Sequence, residues 1–294
     1  MRSLFAAGAL AVLLPLVALE SASAAIDPTS YHRVDATHPY SSSNGGHLSC
    51  PTGMRAVASG ATSSGLHDVL TAGLTTFDGM GVFVTGAGGG DSHLQASARC
   101  VNAAQLQAST LATSRIRDHR SEPYPAYTHV GRASCPPGTV VYGGGGFFQK
   151  PGGEPSATGA VYASLPGANG SDWFFAATGT LFPDTEMWVG AHCLPRSQFG
   201  ELTTLGDTDN APPGPGYHTL YATARCPAGY SAYAGGARLH HGSDSLADWV
   251  GYLTVSDMTA DDRGWFARAW TFAEGAQLSA TVQCMTRVID RPRP

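Results

Sequence analysis

Cys50-Pro51-Thr52-Gly53, Cys135-Pro136-Pro137-Gly138 and Cys226-Pro227-Ala228-Gly229 are three copies of one phrase, Cys-Pro-x-Gly, set roughly 90 residues apart. Each phrase runs through a short apolar stretch into a glycine ten residues beyond its cysteine, at Gly60, Gly145 and Gly236. A second cysteine closes each copy at the end of an alternating segment. Leu94, Ala96, Ala98 and Cys100 alternate with polar residues, as do Met187, Val189, Ala191 and Cys193, and then Leu278, Ala280, Val282 and Cys284. Period two is the mark of a strand with one buried face, so the closing cysteine points inward in every copy.

The interiors of the copies correspond as well. A middle strand is expected over Val69 to Thr75, Ala160 to Leu165 and Val250 to Val255, and a further one begins at Val82-Phe83, Trp173-Phe174 and Trp265-Phe266. Turns rich in Gly or Asp separate them at 87–91, 166–172 and 257–264. With 37 Gly and 19 Pro in 294 residues, the chain reads as many short strands and no long helix. The expected fold is all-β, three tandem repeats of about five antiparallel strands. Segments 103–118 and 194–215 read as connectors, the second for its Pro, Gly and Asp, and Gln105 to Ile116 as one short helix. The domain reading is a signal peptide over 1–25, repeat 1 over 26–102, connector and repeat 2 over 103–195, and connector and repeat 3 over 196–294.

Such a unit buries little apolar surface alone and needs a staple, neighbouring copies, or both. Six cysteines allow fifteen pairings, and the one that makes the copies alike joins Cys50 to Cys100, Cys135 to Cys193 and Cys226 to Cys284. Each would close a loop of about 50 to 60 residues, for about 4 kcal/mol in the chain-entropy account. One-faced strands need a cover, which favours a compact pseudo-threefold, β-prism-like body over three small sandwiches in series.

Export is expected from the N-terminus. Arg2 supplies a positive charge, Leu4 to Leu19 is apolar and uncharged, and Ala22-Ser23-Ala24 offers a small-residue cleavage site. No later stretch is apolar enough to span a bilayer, so the mature chain is expected outside the cytoplasm, extracellular or periplasmic, with disulfides formed. The 17 basic and 22 acidic residues, with Lys150 the one lysine, form no basic run, which makes nucleic acid a poor partner.

The Cys-Pro-x-Gly opening, the glycine ten residues on and the closing strand ending in Cys resemble repeats of uncharacterised exported bacterial proteins, over most of the mature chain. That resemblance implies no activity. The chain is more distantly similar to the vitelline membrane outer layer proteins, whose threefold β-prism also uses Cys-Pro-x-Gly segments. The repeats here are longer and lack that family's Asp-Asp-Thr-type signature, so the resemblance implies a fold and no site residues.

Motifs for catalysis are missing from the sequence. Gly229-Tyr230-Ser231-Ala232-Tyr233 falls one glycine short of a nucleophile elbow, and no zinc helix or Walker loop occurs. The Gly143 to Gly146 run and Gly235-Gly236 read as tight turns or close backbone approaches. His240-His241 would point to opposite faces, His192 beside Cys193 outward, and the histidines in general to solvent. Asp207 with Asp209, and Asp257 with Asp261 and Asp262, suit turns better than a calcium loop. No catalytic residue, metal site or cofactor is assigned.

Aromatic placement is the remaining functional signal. Counting back from Cys193 puts Trp188 on the outward face, where Gln95 and Ser279 stand in the other copies. An exposed tryptophan can form a platform for the apolar face of a sugar or for a protein hot spot. Trp249, Tyr252 and Trp270 are further candidates of this type, whereas Trp173 and Trp265 repeat each other and read as core. The expected function is a secreted, non-catalytic binding or surface-interaction protein whose partner is a glycan or a cell-surface protein. The competing readings are an exported hydrolase with a site assembled from distant loops, and a structural envelope or matrix protein.

Overall fold

The computed structural model of the chain describes residues 26–27, 30–39, 46–64, 69–76, 79–87, 93–116, 127–149, 155–156, 159–179, 186–241 and 251–286. The signal peptide expected over 1–25, Lys150 and Trp249 lie outside these described residues.

Every copy contributes the same six strands. The first has β1 (His32–Pro39), β2 (Gly46–Ser49), β3 (Met54–Ser63), β4 (Val69–Thr75), β5 (Gly81–Ala87) and β6 (His93–Asn102). The second has β7 (Thr110–Ile116), β8 (Tyr127–Ser134), β9 (Thr139–Gln149), the short extra β10 (Pro155–Ser156), β11 (Gly159–Pro166), β12 (Asp172–Gly179) and β13 (Glu186–Pro195). The third has β14 (Leu202–Asn210), β15 (His218–Arg225), β16 (Tyr230–His241), β17 (Gly251–Met258), β18 (Gly264–Thr271) and β19 (Ala276–Thr286). The number per copy is six rather than about five, because two strands precede each Cys-Pro-x-Gly. The described part of the expected first connector, 103–116, therefore does not form a connector with a helix. Ala103–Leu106 is one 3-10 turn, and Thr110–Ile116 is an edge strand paired with β13. The second expected connector likewise contains β14, paired with β19.

The cysteine phrase has a local physical cause. In each copy the N–H two residues past x donates to the proline carbonyl, from Met54 to Pro51, Thr139 to Pro136 and Tyr230 to Pro227. The glycine between them sits at φ 82°, 80° and 84°. A turn with left-handed backbone at that position favours glycine, and it launches β3, β9 and β16 in one geometry.

The copies do not fold as separate sheets. The sheet orders are β1-β6-β3-β17-β18-β15, β2-β5-β4-β9-β13-β7 and β14-β19-β16-β11-β12-β8. Each sheet joins three core strands of one repeat to three of another, with β10 beside β9 making the second sheet seven-stranded, and the third repeat closes onto the first through Val255↔Thr62 and Ser256↔Ala61. Gly60, Gly145 and Gly236 lie at these seams. A Cβ on Gly236 would run into the carbonyl of Ser164 on β11, and one on Gly60 into the Asp257 carboxylate on β17. One apolar cluster takes side chains from all three repeats, including Ala96, Val189 and Leu278 of the closing strands. This shared core and cyclic exchange are incompatible with three sandwiches in series.

Disulfides join Cys50 to Cys100, Cys135 to Cys193 and Cys226 to Cys284, each within one repeat, with Cα–Cα distances of 5.8, 5.7 and 5.7 Å. A bulge beside each shifts the ladder and leaves Val57, Tyr142 and Tyr233 unpaired in register, seven residues after their opening cysteines. These three join a second apolar cluster with Val101, Leu194 and Met285, covered by Leu106 of the Ala103–Leu106 turn and by Phe199, which follows a 3-10 turn at Arg196–Gln198. Among the described residues, two histidines depart from the expectation of solvated rings, while His32, His47 and His93 are exposed. His192 is 4% exposed beneath Tyr142, ring centroids 5.7 Å apart, and His129 is equally buried, edge-on to Phe148.

Candidate functional site

The site is assembled on the outer face of the sheet that ends in β17, β18 and β15. In β18 the alternation buries Trp265, Ala267, Ala269 and Thr271 and turns Phe266, Arg268 and Trp270 outward. In β15 Leu220, Ala222 and Ala224 are buried while Tyr221 and Arg225 are exposed. Register then sets the rings side by side. Tyr252 pairs with Trp270 across β17 and β18, and their rings stack 5.1 Å apart at 27°. Tyr217, just before β15, stacks on Trp270 from the other side at 4.7 Å and 20°. Phe272 meets Trp270 edge-on at 6.0 Å, and Tyr221 stacks on Phe266 at 6.4 Å.

Solvent reaches the outer members of these stacks. Tyr217 is 71% exposed, Tyr221 53% and Phe272 39%, three of the five large hydrophobic side chains exposed among the described residues. Exposed apolar groups gathered in one patch point to an interaction surface, whereas scattered ones need no explanation. The outward phenylalanine is common to all repeats, as Phe83, Phe174 and Phe266. In the second repeat it is covered, with the Arg132 and Arg238 guanidinium groups 5.1 and 5.9 Å from the Phe174 ring. Where Trp270 stands, the other copies have Ala87 and Thr178. The aromatic excess belongs to the third repeat.

The other half of the same face is polar and internally paired. Ser97 Oγ donates to Asp257, and the Met258 N–H donates to the same carboxylate oxygen at 2.7 Å. Arg33 Nη2 is 4.0 Å from Asp257, and Arg33 Nε donates to Asp35 at 2.8 Å. Burial pushes the Asp257 carboxyl above the usual aspartate value, against the lowering pull of Ser97, Arg33, Arg99 and the Met258 N–H. Between the halves, Arg268 donates from Nε to Thr254 Oγ1 at 2.8 Å and from Nη2 to the Ser63 carbonyl at 2.7 Å.

Among the residues expected to bind, Tyr252 and Trp270 are brought together here, Tyr252 almost buried and Trp270 partly so. Trp188 lies elsewhere, on β13 of the seven-stranded sheet. It projects from the outer face, as its register implies, and stacks on Phe147 at 6.4 Å with Arg115 Cζ 3.5 Å from its ring. Tyr217, Tyr221, Phe266 and Phe272 are absent from the sequence-based set. For Tyr217 and Tyr221 the signal is the alternation with Leu220, Ala222 and Ala224, on a strand hidden behind an apparent connector, and for Phe266 and Phe272 it is the alternation with Trp265, Ala267, Ala269 and Thr271.

The acidic pairs are also placed. Asp207 and Asp209 lie on β14, not in a loop, and accept from the N–H groups of Thr223 at 2.7 Å and Tyr221 at 2.9 Å. They thereby satisfy donors on the free edge of β15. Asp261 pairs with Arg225 at 2.9 Å, and Asp262 with Arg99. Among the described residues no group of three or more His, Cys, Asp or Glu side chains is arranged to hold a metal ion, and no helix is long and apolar enough to cross a membrane. Comparison with protein-family models and with curated proteins finds no match to the chain.

Proposed function

We propose that this protein is an exported, non-catalytic binding module that holds a carbohydrate-bearing surface on the aromatic face of β17, β18 and β15. The observation that carries this reading is Trp270 stacked between Tyr252 and Tyr217, with Tyr217 largely open to solvent. An aromatic ring braced by another aromatic ring is already oriented, so little side-chain entropy is lost when a ligand covers it. Rings of this kind suit the apolar face of a pyranose. Export is supported by the leader pattern in the sequence and by three disulfides with no free cysteine among the described residues.

The carboxylates, guanidinium groups and hydroxyls on the other half of the face bond to one another, at Ser97–Asp257, Arg33–Asp35 and Arg268–Thr254. This pairing supports a structural use of those groups over a hydrolytic one. The test is retention on insoluble polysaccharides such as cellulose, chitin and bacterial peptidoglycan. Wild-type protein is expected to be retained on at least one of them and Trp270→Ala protein released from it, with no reducing sugar liberated by either. Release of sugar would favour the hydrolase, and equal retention of both proteins would remove the face from the reading.

A further inference from the structure

Tyr217 and Tyr221 stand four residues apart along the edge formed by β15, about 13 Å at the rise of an extended strand. Each is backed by an inner ring, Trp270 and Phe266 respectively, so one face is used within the protein and the other is open, at 71% and 53% exposure. Two braced platforms at that spacing match an extended chain several sugar rings long better than a single monosaccharide. We propose, resting on the reading of this face as a glycan binder, that the edge is a two-platform ledge for an extended, uncharged polysaccharide chain lying along β15.

The choice of ligand follows from what surrounds the platforms. The Tyr221 and Thr223 N–H groups donate to Asp209 and Asp207, so these edge donors are engaged and the strand is a poor template for an added peptide strand. The same two carboxylates put negative charge beside the tyrosines, which opposes an anionic polymer. The nearby cations are held from within, Arg225 by Asp261 and Arg268 by Thr254 and the Ser63 carbonyl. Among the described residues, what these contacts leave open to a ligand beside the tyrosines is aromatic surface, with the Arg225 and Arg268 guanidinium groups already engaged.

The experiment is calorimetric titration of the whole mature chain with β-1,4-linked glucose and N-acetylglucosamine oligomers of two to six rings. Affinity for the oligomers that bind is expected to rise by about tenfold from the shortest to the longest. Tyr217→Ala and Tyr221→Ala should each weaken the longest oligomer by about tenfold and flatten that rise. Both tyrosines are exposed, so the variants should melt as the wild type does, and Tyr217→Phe should bind nearly normally. Equal affinity for the shortest and longest oligomers overturns the ledge. So does preference for a polyanion such as polygalacturonate with affinity falling in salt. If Trp270→Ala abolishes binding while Tyr221→Ala is silent, the glycan reading survives and the two-platform ledge fails. If the wild type binds none of these oligomers and no insoluble polysaccharide, both fail.

Discussion

Arg99 of the first repeat extends its buried guanidinium to the carboxylate of Asp262 in the third, 163 positions along the chain. Its Nη2 also donates to the Thr259 carbonyl at 3.1 Å. The residue before the closing cysteine plays a similar part elsewhere. Gln283 of the third repeat donates to the Gly167 carbonyl of the second at 3.3 Å, and His192 of the second stands beside Gly79 of the first. Each position reaches the turn before the fifth core strand of another repeat, so these contacts follow the same cyclic order as the strand exchange.

Asp262→Asn should expose the cost of this clasp. The asparagine keeps the size of the side chain and tolerates the positive φ of 54°, while the buried Arg99 charge loses its counter-ion. Removing one partner of a buried pair costs about 3–5 kcal/mol, and the Asp262 side chain is partly exposed, so about 2–4 kcal/mol is expected. Urea unfolding of the oxidised protein measures it. A change under about 0.5 kcal/mol would place the Arg99 charge in contact with water instead.

Asp257 should give stability an acid-side signature. Its folded-state pKa is raised, chiefly by burial, so the native state binds this proton more tightly than the unfolded chain does. That contribution is fully present below the unfolded value near 3.8 and is lost as pH rises through the folded value. The stability of the wild type relative to Asp257→Asn should therefore increase as pH falls from neutral toward 4. Matched denaturation curves across that range check this, and a difference that shrinks on acidification would mean that Ser97 and Arg33 outweigh burial.

Glycine and tryptophan trade volume around the central cavity. This cavity of about 30 Å³ is lined by Gly144 with Trp173, Gly235 with Trp265, and Ser59 with Val82. A Cβ on Gly144 or Gly235 would collide with the facing indole and with the Gly190 or Thr281 carbonyl. The indoles are fixed by equivalent bonds, Trp173 to Ser164 at 3.1 Å and Trp265 to Ser256 at 3.0 Å. Gly235→Ser should overpack the site at a cost of about 1–3 kcal/mol, and Trp265→Val should cost about 3 kcal/mol or more. The double variant copies the first repeat. It should be more stable than the sum of the single effects by about 1 kcal/mol, read from a double-mutant cycle.

The reach of the sequence follows from which forces are local. Inward phase at Cys100, Cys193 and Cys284 is legible because neighbours on a strand must alternate, and the repeat symmetry then fixes the disulfides. The exchange of strands is not legible: β3 and β17 meet through two residue pairs, and neither strand's alternation names its partner. The expectation of a helix over Gln105 to Ile116 fails because the edge strand Thr110–Ile116 is mostly exposed and carries little apolar pattern. Tyr252 and Trp270 could be found as large aromatics. Their convergence with Tyr217 depends on the register of three strands, and the Pro, Gly and Asp of 207–216 masked the first of these.

Trp188→Ala separates packing from binding on the remaining outward tryptophan. Cross-strand register sets Trp188 between Phe147 on β9 and Arg115 on β7. The Phe147 ring beneath it is 6% exposed, and Phe83 joins the same small cluster, so the indole shields apolar surface that belongs to two repeats. Arg115 adds a guanidinium 3.5 Å from the indole ring, worth about 0.5–1 kcal/mol at an exposed site. A fully buried tryptophan costs about 3–5 kcal/mol to truncate, and a partly covered one on a sheet face should cost about 1–3 kcal/mol. Trp188→Ala should therefore lower the melting temperature and leave glycan retention unchanged. Tyr217→Ala should do the reverse, keeping the melting temperature and losing retention. If Trp188→Ala instead loses retention without loss of stability, the binding face lies on the seven-stranded sheet, and Arg115 must swing off the indole when the ligand arrives.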